Sequence, residues 1–206
     1  MQQDLRKRRT IEVVPDAPSD ADAFLRWSAN RPREEGRFEL SRGVVTRNLI
    51  NVTRHHGYIC ANIVVALSRV LDMDRYRITT ADFAVRTPVG IRGPDILVEA
   101  TNFDGSALAS DAPLLLMEVL SPSTAGIDFS DKRDEYLGIA SLQTYVICAQ
   151  DEARVWLWAR RADGAWPPQA TMVEGREASI AVGGLDSRLA LAAVYRGIPD
   201  QVPEQD

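Results

Sequence analysis

Two acids stand where apolar sequence gives no reason for them. Glu118 interrupts the run Leu114-Leu115-Leu116-Met117-Glu118-Val119-Leu120. Asp95 opens another short apolar run, Gly93-Pro94-Asp95-Ile96-Leu97-Val98. A carboxylate inside a buried strand costs several kcal/mol unless it is paired, protonated or metal-bound. Their separation of 23 residues suffices for a strand, a loop and an adjacent strand. Two strand-borne carboxylates suit Mg²⁺, which takes oxygen ligands and usually keeps several waters beside one or two protein carboxylates. Such an ion lowers the pKa of a bound water and polarises a phosphoryl oxygen.

A lysine completes the set. Of the 24 basic residues, 22 are arginine, and Lys7 and Lys132 are the only lysines. Asp128, Lys132 and Tyr136 recur at i, i+4 and i+8, which on a helix is one face. If that helix packs beside the Glu118 strand, the ammonium reaches the carboxylates, where it orients water and offsets transition-state charge. The competing reading is an Asp128–Lys132 pair on the surface, worth a few tenths of a kcal/mol.

The elements that must position these residues follow from hydrophobic period and turn chemistry. Ser19-Asp20-Ala21-Asp22 fits a capped helix start, with Ala23, Phe24 and Trp27 as the apolar face. Arg37–Leu40 and Val44–Thr46 read as a hairpin turning at Gly43. Thr53 to Leu71 reads as a long amphipathic helix. Short strands are expected at Tyr76–Thr79, Phe83–Arg86 and Ile96–Val98. Leu114–Leu120 reads as a central strand buried on both faces, and Asp128–Ala140 as a helix. Thr144–Ala149 and Arg154–Ala159 form a second hairpin, Met172-Val173 and Ser179–Val182 add edge strands, and Asp186–Tyr195 closes as a short helix. The sum is an α/β domain with a mixed β-sheet flanked by helices. Residues 1–18 read as an N-terminal arm, 19–198 as the domain and 199–206 as a disordered tail.

Several of these residues occur together in one order. Arg37-Phe38-Glu39-Leu40 with Gly43 is followed by His56, Pro94-Asp95-Ile96, Glu118-Val119-Leu120-Ser121-Pro122-Ser123-Thr124, then Asp128, Lys132 and Tyr136. This order resembles the Uma family of putative restriction endonucleases, in the PD-(D/E)XK nuclease superfamily. The resemblance spans about residues 20–196 and implies a restriction-endonuclease-like core. It implies that Asp95 and Glu118 are ligands of Mg²⁺ or Mn²⁺ and that Glu39 is a further ligand, directly or through water. The standard superfamily motif places its lysine two residues after the second acid, and that position here is Leu120. The Uma-type pattern takes the lysine from the following helix, which is Lys132. His56 matches a histidine common in the family and is an accessory candidate for a phosphate or metal-bound water, as is Asp128. A further departure is Gln143-Thr144-Tyr145, where the family usually has an acidic–aromatic pair.

The implied reaction is phosphodiester hydrolysis in nucleic acid, DNA in particular, by an endonuclease. Cutting both strands needs two sites, so a C2 homodimer is expected. The rival is a non-catalytic nucleic-acid-binding or protein-interaction module that keeps the nuclease fold. Net charge is −5, which argues against binding nucleic acid by bulk charge. The cluster Arg6–Arg9 reads as part of the solvated arm. No stretch approaches about 18 uninterrupted apolar residues, which excludes a membrane span. With no secretory signal, residence is expected to be cytoplasmic. Cys60 and Cys148 read as inert core thiols. Two cysteines and two histidines show no close spacing for structural zinc. Ser121, Ser123 and Thr124 read as turn and cap residues rather than nucleophiles, Asp82 as a turn residue, and Trp156 and Trp158 as packing residues. Carboxylates gathered without a cation repel, so one is expected to have a raised pKa.

Overall fold

The apolar run around Glu118 becomes β9 (Pro113–Val119), flanked on both sides. It pairs parallel with β10 (Thr144–Cys148) and antiparallel with β7 (Ile96–Ala100). β11 (Arg154–Ala159) and β12 (Thr171–Glu174) extend the sheet past β10, and β4 (Tyr76–Thr80) closes the edge beyond β7. The result is a six-stranded mixed sheet. The structure, a computed structural model, describes residues 11–48, 52–102, 104–120 and 128–199.

Both faces of this sheet are covered, as strands lacking polar alternation require. Leu115, Met117 and Val119 pack with Ile59, Ile63 and Leu67 of helix α2 (Arg54–Val70). Leu116 and Leu120 point to the opposite side and pack with Tyr136 and Ile139. Tyr136 belongs to α3 (Arg133–Leu137), which continues from a π-helical turn at Asp128–Lys132. The expected helix over Asp128–Ala140 is therefore shorter, and its first turn is wider than an α-turn. Trp158 stacks on Tyr145 in this second core, a packing role.

A second six-stranded sheet was not legible as separate. Its order is β1 (Ile11–Val13), β3 (Val44–Asn48), β2 (Arg37–Ser41), β6 (Gly90–Arg92), β5 (Ala84–Thr87) and β8 (Ala109–Ser110). The physical reason is Pro94, which has no N–H to continue a ladder. The chain changes sheets across Gly93-Pro94-Asp95, leaving β6 in one sheet and β7 in the other. β1 falls within the segment read as an arm and pairs with β3. α1 (Ala21–Ala29) packs Phe24 and Leu25 against Phe38, Leu40 and Ile91 of this sheet.

Other boundaries moved for local reasons. Asp20, not Ser19, caps α1, accepting the Ala23 N–H at 2.9 Å. The β2–β3 hairpin turns on Arg42 and Gly43, both at positive φ (49° and 77°), the pattern of a two-residue type I′ turn. Ser179–Val182 (β13) pairs only with β14 (Ser187–Ala190) rather than extending a main sheet. The closing helix α4 is thus confined to Leu191–Val194.

At Gly90, β6 lies close against the backbone of β2. A Cβ on Gly90 would stand 2.0 Å from the Leu40 carbonyl oxygen, a fixed backbone atom. Gly90→Ala must therefore push β6 off β2, the strand that carries Glu39. The expected loss is about 2 kcal/mol or more, measured by urea unfolding at neutral pH.

Candidate active site

Strand alternation decides which side chains meet. In β2, Phe38 and Leu40 face α1, so Glu39 points to the opposite side. In β6, Ile91 joins Phe38 and Leu40, so Arg92 points with Glu39. The register Leu40↔Ile91, continued by one residue, sets Glu39 opposite Arg92. In the other sheet the register Ile96↔Met117, continued likewise, sets Asp95 opposite Glu118. Glu118 shares its face with Leu116 and Leu120, the face that α3 covers.

The sheets meet at Lys132. All four sequence-derived residues are buried: Glu39 is 3%, Asp95 7%, Glu118 4% and Lys132 8% exposed. Lys132 Nζ lies 3.1 Å from Glu118 Oε1 and 3.8 Å from Glu39 Oε1. The surface-pair reading of Lys132 therefore fails, because the ammonium is inside and its acids come from two sheets. Tyr136 OH donates to the same Glu118 oxygen at 2.9 Å. Leu120, at the standard motif's lysine position, packs in the core instead. The side chain of Asp128 lies outside the described residues, as do Ser121, Ser123 and Thr124.

Sequence reasoning missed the groups that hold Glu39. Arg92 donates to Glu39 Oε2 at 3.1 Å, and the Gly93 N–H donates to Oε1 at 3.1 Å. Arg92 also grips Glu135 with two bonds, of 2.8 and 2.7 Å. The Ser41 hydroxyl donates to Glu135 at 2.6 Å. Arg92 was legible in principle, since it alternates with a core isoleucine on a short strand. Glu135 gave no such signal, because Asp131, Asp134 and Glu135 look alike as helix acids.

His56 sits in the first turn of α2, ordered by Thr53, whose Oγ1 accepts the His56 N–H at 3.2 Å. Its Nε2 is 3.1 Å from Asp95 Oδ2, the oxygen that also accepts the Val119 N–H at 2.9 Å. Cys60, one turn on, places Sγ 3.6 Å from His56 Nδ1. The expectation of no close ligand spacing is thus corrected, since His56 and Cys60 stand at i, i+4. Burial first, then Asp95, pushes both the Cys60 and Cys148 thiols well up, so both stay protonated while no metal is bound. His55 is half-buried and Asp82 exposed in a turn. A cleft of about 470 Å³ opens beside Arg92 and Gly93, with Arg31, Arg37 and Phe38 in its wall.

For two of the acids the electrostatics run opposite to the expected rise. Burial raises the Glu39 carboxyl, but Lys132, Arg92, the Gly93 N–H and Arg37 outweigh it and hold it below its ordinary 4.5. Burial likewise raises Asp95, and His56, the Val119 N–H and Lys132 bring it below 3.8. Neither is raised, because the site carries its own cations.

A divalent ion still fits the donor set. Among the described residues, the buried acids Glu39, Asp95, Glu118 and Glu135 stand against two buried cations, Arg92 and Lys132, a formal excess of two negative charges with His56 neutral. Among the described residues, both hydrogen bonds to the Asp95 carboxylate fall on Oδ2, with Oδ1 on the side open to a ligand set. Carboxylate oxygens of this kind suit Mg²⁺ and Mn²⁺.

Two outcomes follow for the metal-free protein. Arg92→Met leaves Glu135 buried without its cation and Glu39 with Lys132 alone, and its expected cost is about 3–5 kcal/mol, read from denaturant unfolding. A carboxyl with a depressed folded-state pKa stabilises above its unfolded value and loses that contribution as pH falls through the folded one. Melting temperature should therefore hold above about pH 4.5 and fall progressively below it. Asp95→Asn should flatten part of that fall.

The family model for Uma2, described as "Putative restriction endonuclease", matches residues 21–192. Among solved structures, the crystal structure of a putative nuclease belonging to DUF820 from Anabaena variabilis ATCC 29413 is similar, with a TM-score of 0.64 and 17% identity. The match covers 83% of this chain and 96% of that one, a likeness of fold. No curated protein matches.

Proposed function

Since the chain belongs to the Uma2 family of putative restriction endonucleases, we propose that it is a metal-dependent endonuclease that hydrolyses phosphodiester bonds in DNA. The observation that carries this is Lys132, a buried ammonium held between Glu118 of one sheet and Glu39 of the other. Asp95, Glu118 and Glu39 would hold Mg²⁺ or Mn²⁺. Such an ion supplies Lewis acidity toward the phosphoryl oxygen and lowers the pKa of a bound water.

The chain's own groups supply the rest. Lys132 donates hydrogen bonds, so beside Glu118 it orients an attacking water and offsets negative charge on the phosphorane-like transition state. Tyr136 fixes the Glu118 carboxylate, His56 fixes Asp95, and Arg92 with the Gly93 N–H fixes Glu39. Arg31 and Arg37 in the adjoining cleft favour an anionic strand despite the acidic net charge. A homodimer supplies the second site that double-strand cleavage needs. The two free thiols favour a reducing, cytoplasmic setting. Among the described residues, no helix is long and apolar enough to cross a membrane.

Lysine and arginine are not interchangeable here. Arginine is a broad planar fork, whereas lysine places one compact ammonium against one water. Lys132→Arg and Lys132→Ala are expected to bind metal yet lose about 10²-fold or more in cleavage. The assay is cleavage of pooled DNA and RNA with Mg²⁺ or Mn²⁺, and near wild-type cleavage by the arginine variant would reject the role. Divalent metal should raise the melting temperature of wild type, and the Asp95→Asn/Glu118→Gln variant should lose that gain. No metal response and no cleavage in wild type would favour a binding module on the same fold.

A further inference from the structure

We infer that His56, Cys60 and Asp95 form a second metal-ion site, one for zinc-type divalent ions, beside the hard carboxylate cluster and sharing Asp95 with it. One ring nitrogen of His56, Cys60 Sγ and a carboxylate oxygen of Asp95 lie within 4.8 Å of one another. An imidazole gives one nitrogen to an ion, and Nε2 faces Asp95 at 3.1 Å while Nδ1 faces Cys60 at 3.6 Å, so the ring must turn for all three donors to meet one ion. Bond lengths of about 2.0–2.3 Å around a tetrahedral zinc ion set neighbouring ligand atoms roughly 3.3–3.6 Å apart. The donors, spread within 4.8 Å, close to that spacing by side-chain rotation when an ion binds.

The donor chemistry separates this site from the carboxylate cluster. A thiolate and an imidazole select zinc and cobalt over magnesium, whereas carboxylates alone select hard ions. The i, i+4 spacing of His56 and Cys60 on α2 presents both on one helix face. α2 is pinned at its start by the Thr53 cap and along its length by the main core, so the pair is fixed relative to Asp95. Three protein donors leave a fourth position for water, the pattern of an open rather than a closed zinc site. Binding displaces the thiol proton to solvent, with no change of oxidation state.

The test does not depend on nuclease activity. The folded full chain is titrated with Co²⁺ alone, followed by Zn²⁺. A one-to-one complex with thiolate-to-cobalt charge-transfer absorption is expected, displaced by Zn²⁺ and unaffected by excess Mg²⁺. Cys60→Ser and Cys60→Ala should each lose that band and weaken Zn²⁺ binding by about 10-fold or more, the scale of losing one ligand or its support. His56→Gln should weaken binding comparably, and Glu118→Gln should retain the band. Two Cys60 variants guard against a folding defect in either one. Absence of the thiolate band in folded wild type at excess Co²⁺, or unchanged Zn²⁺ affinity in both Cys60 variants, would overturn the site.

Discussion

A buried chain of alternating charges joins the two sheets of this molecule. It runs from Glu135 through Arg92 to Glu39, then through Lys132 to Glu118. Arg92 and Glu39 come from adjacent strands of one sheet, Glu118 from the centre of the other, and Lys132 and Glu135 from the helical segment between. Each member is costly to bury alone, since desolvation of a charge exceeds what a surface pair returns. Together they are tolerable only in the native arrangement. The chain of charges therefore makes the relative placement of the sheets and the geometry of the acids one constraint.

That constraint also explains why an acidic cluster can exist without its ion. Glu39 and Asp95 stay ionised below their ordinary range because cationic neighbours outweigh burial. A divalent ion entering such a site meets carboxylates that are already charged and held by hydrogen bonds, so little reorganisation remains at binding. Among the described residues, the formal excess of two negative charges is the amount one divalent ion neutralises. Lys132 stands at the junction, where its ammonium touches an acid from each sheet.

Pro94 is the structural counterpart of this electrostatic hinge. It ends one ladder, and Asp95 follows immediately at the mouth of the next. Gly93 admits the Arg37 side chain beside its Cα, and its N–H serves Glu39. Three consecutive residues thus end β6, orient one acid and supply another. The same Asp95 receives His56 from α2, so the first turn of the long helix, the sheet change and the β9 backbone converge on a single carboxylate.

Much of this was legible in order of residues alone. Buried acids in apolar strands, Glu118 and Asp95, are conspicuous because burial makes their cost visible without a structure. The amphipathic period marked α2 to within a residue at each end, and the continuous apolar run marked β9 as central. The resemblance placed Glu39 and Lys132 in the same set. What sequence could not decide was partnership across distance. Arg92, 43 residues before Glu135 and 53 after Glu39, becomes their common cation only when two strands register and a helix folds over them. The pKa directions of Glu39 and Asp95 depend on those unseen cations, so a reading from the acids alone does not reach them. Local period and burial cost are properties of the chain; charge pairing is a property of its three-dimensional closure.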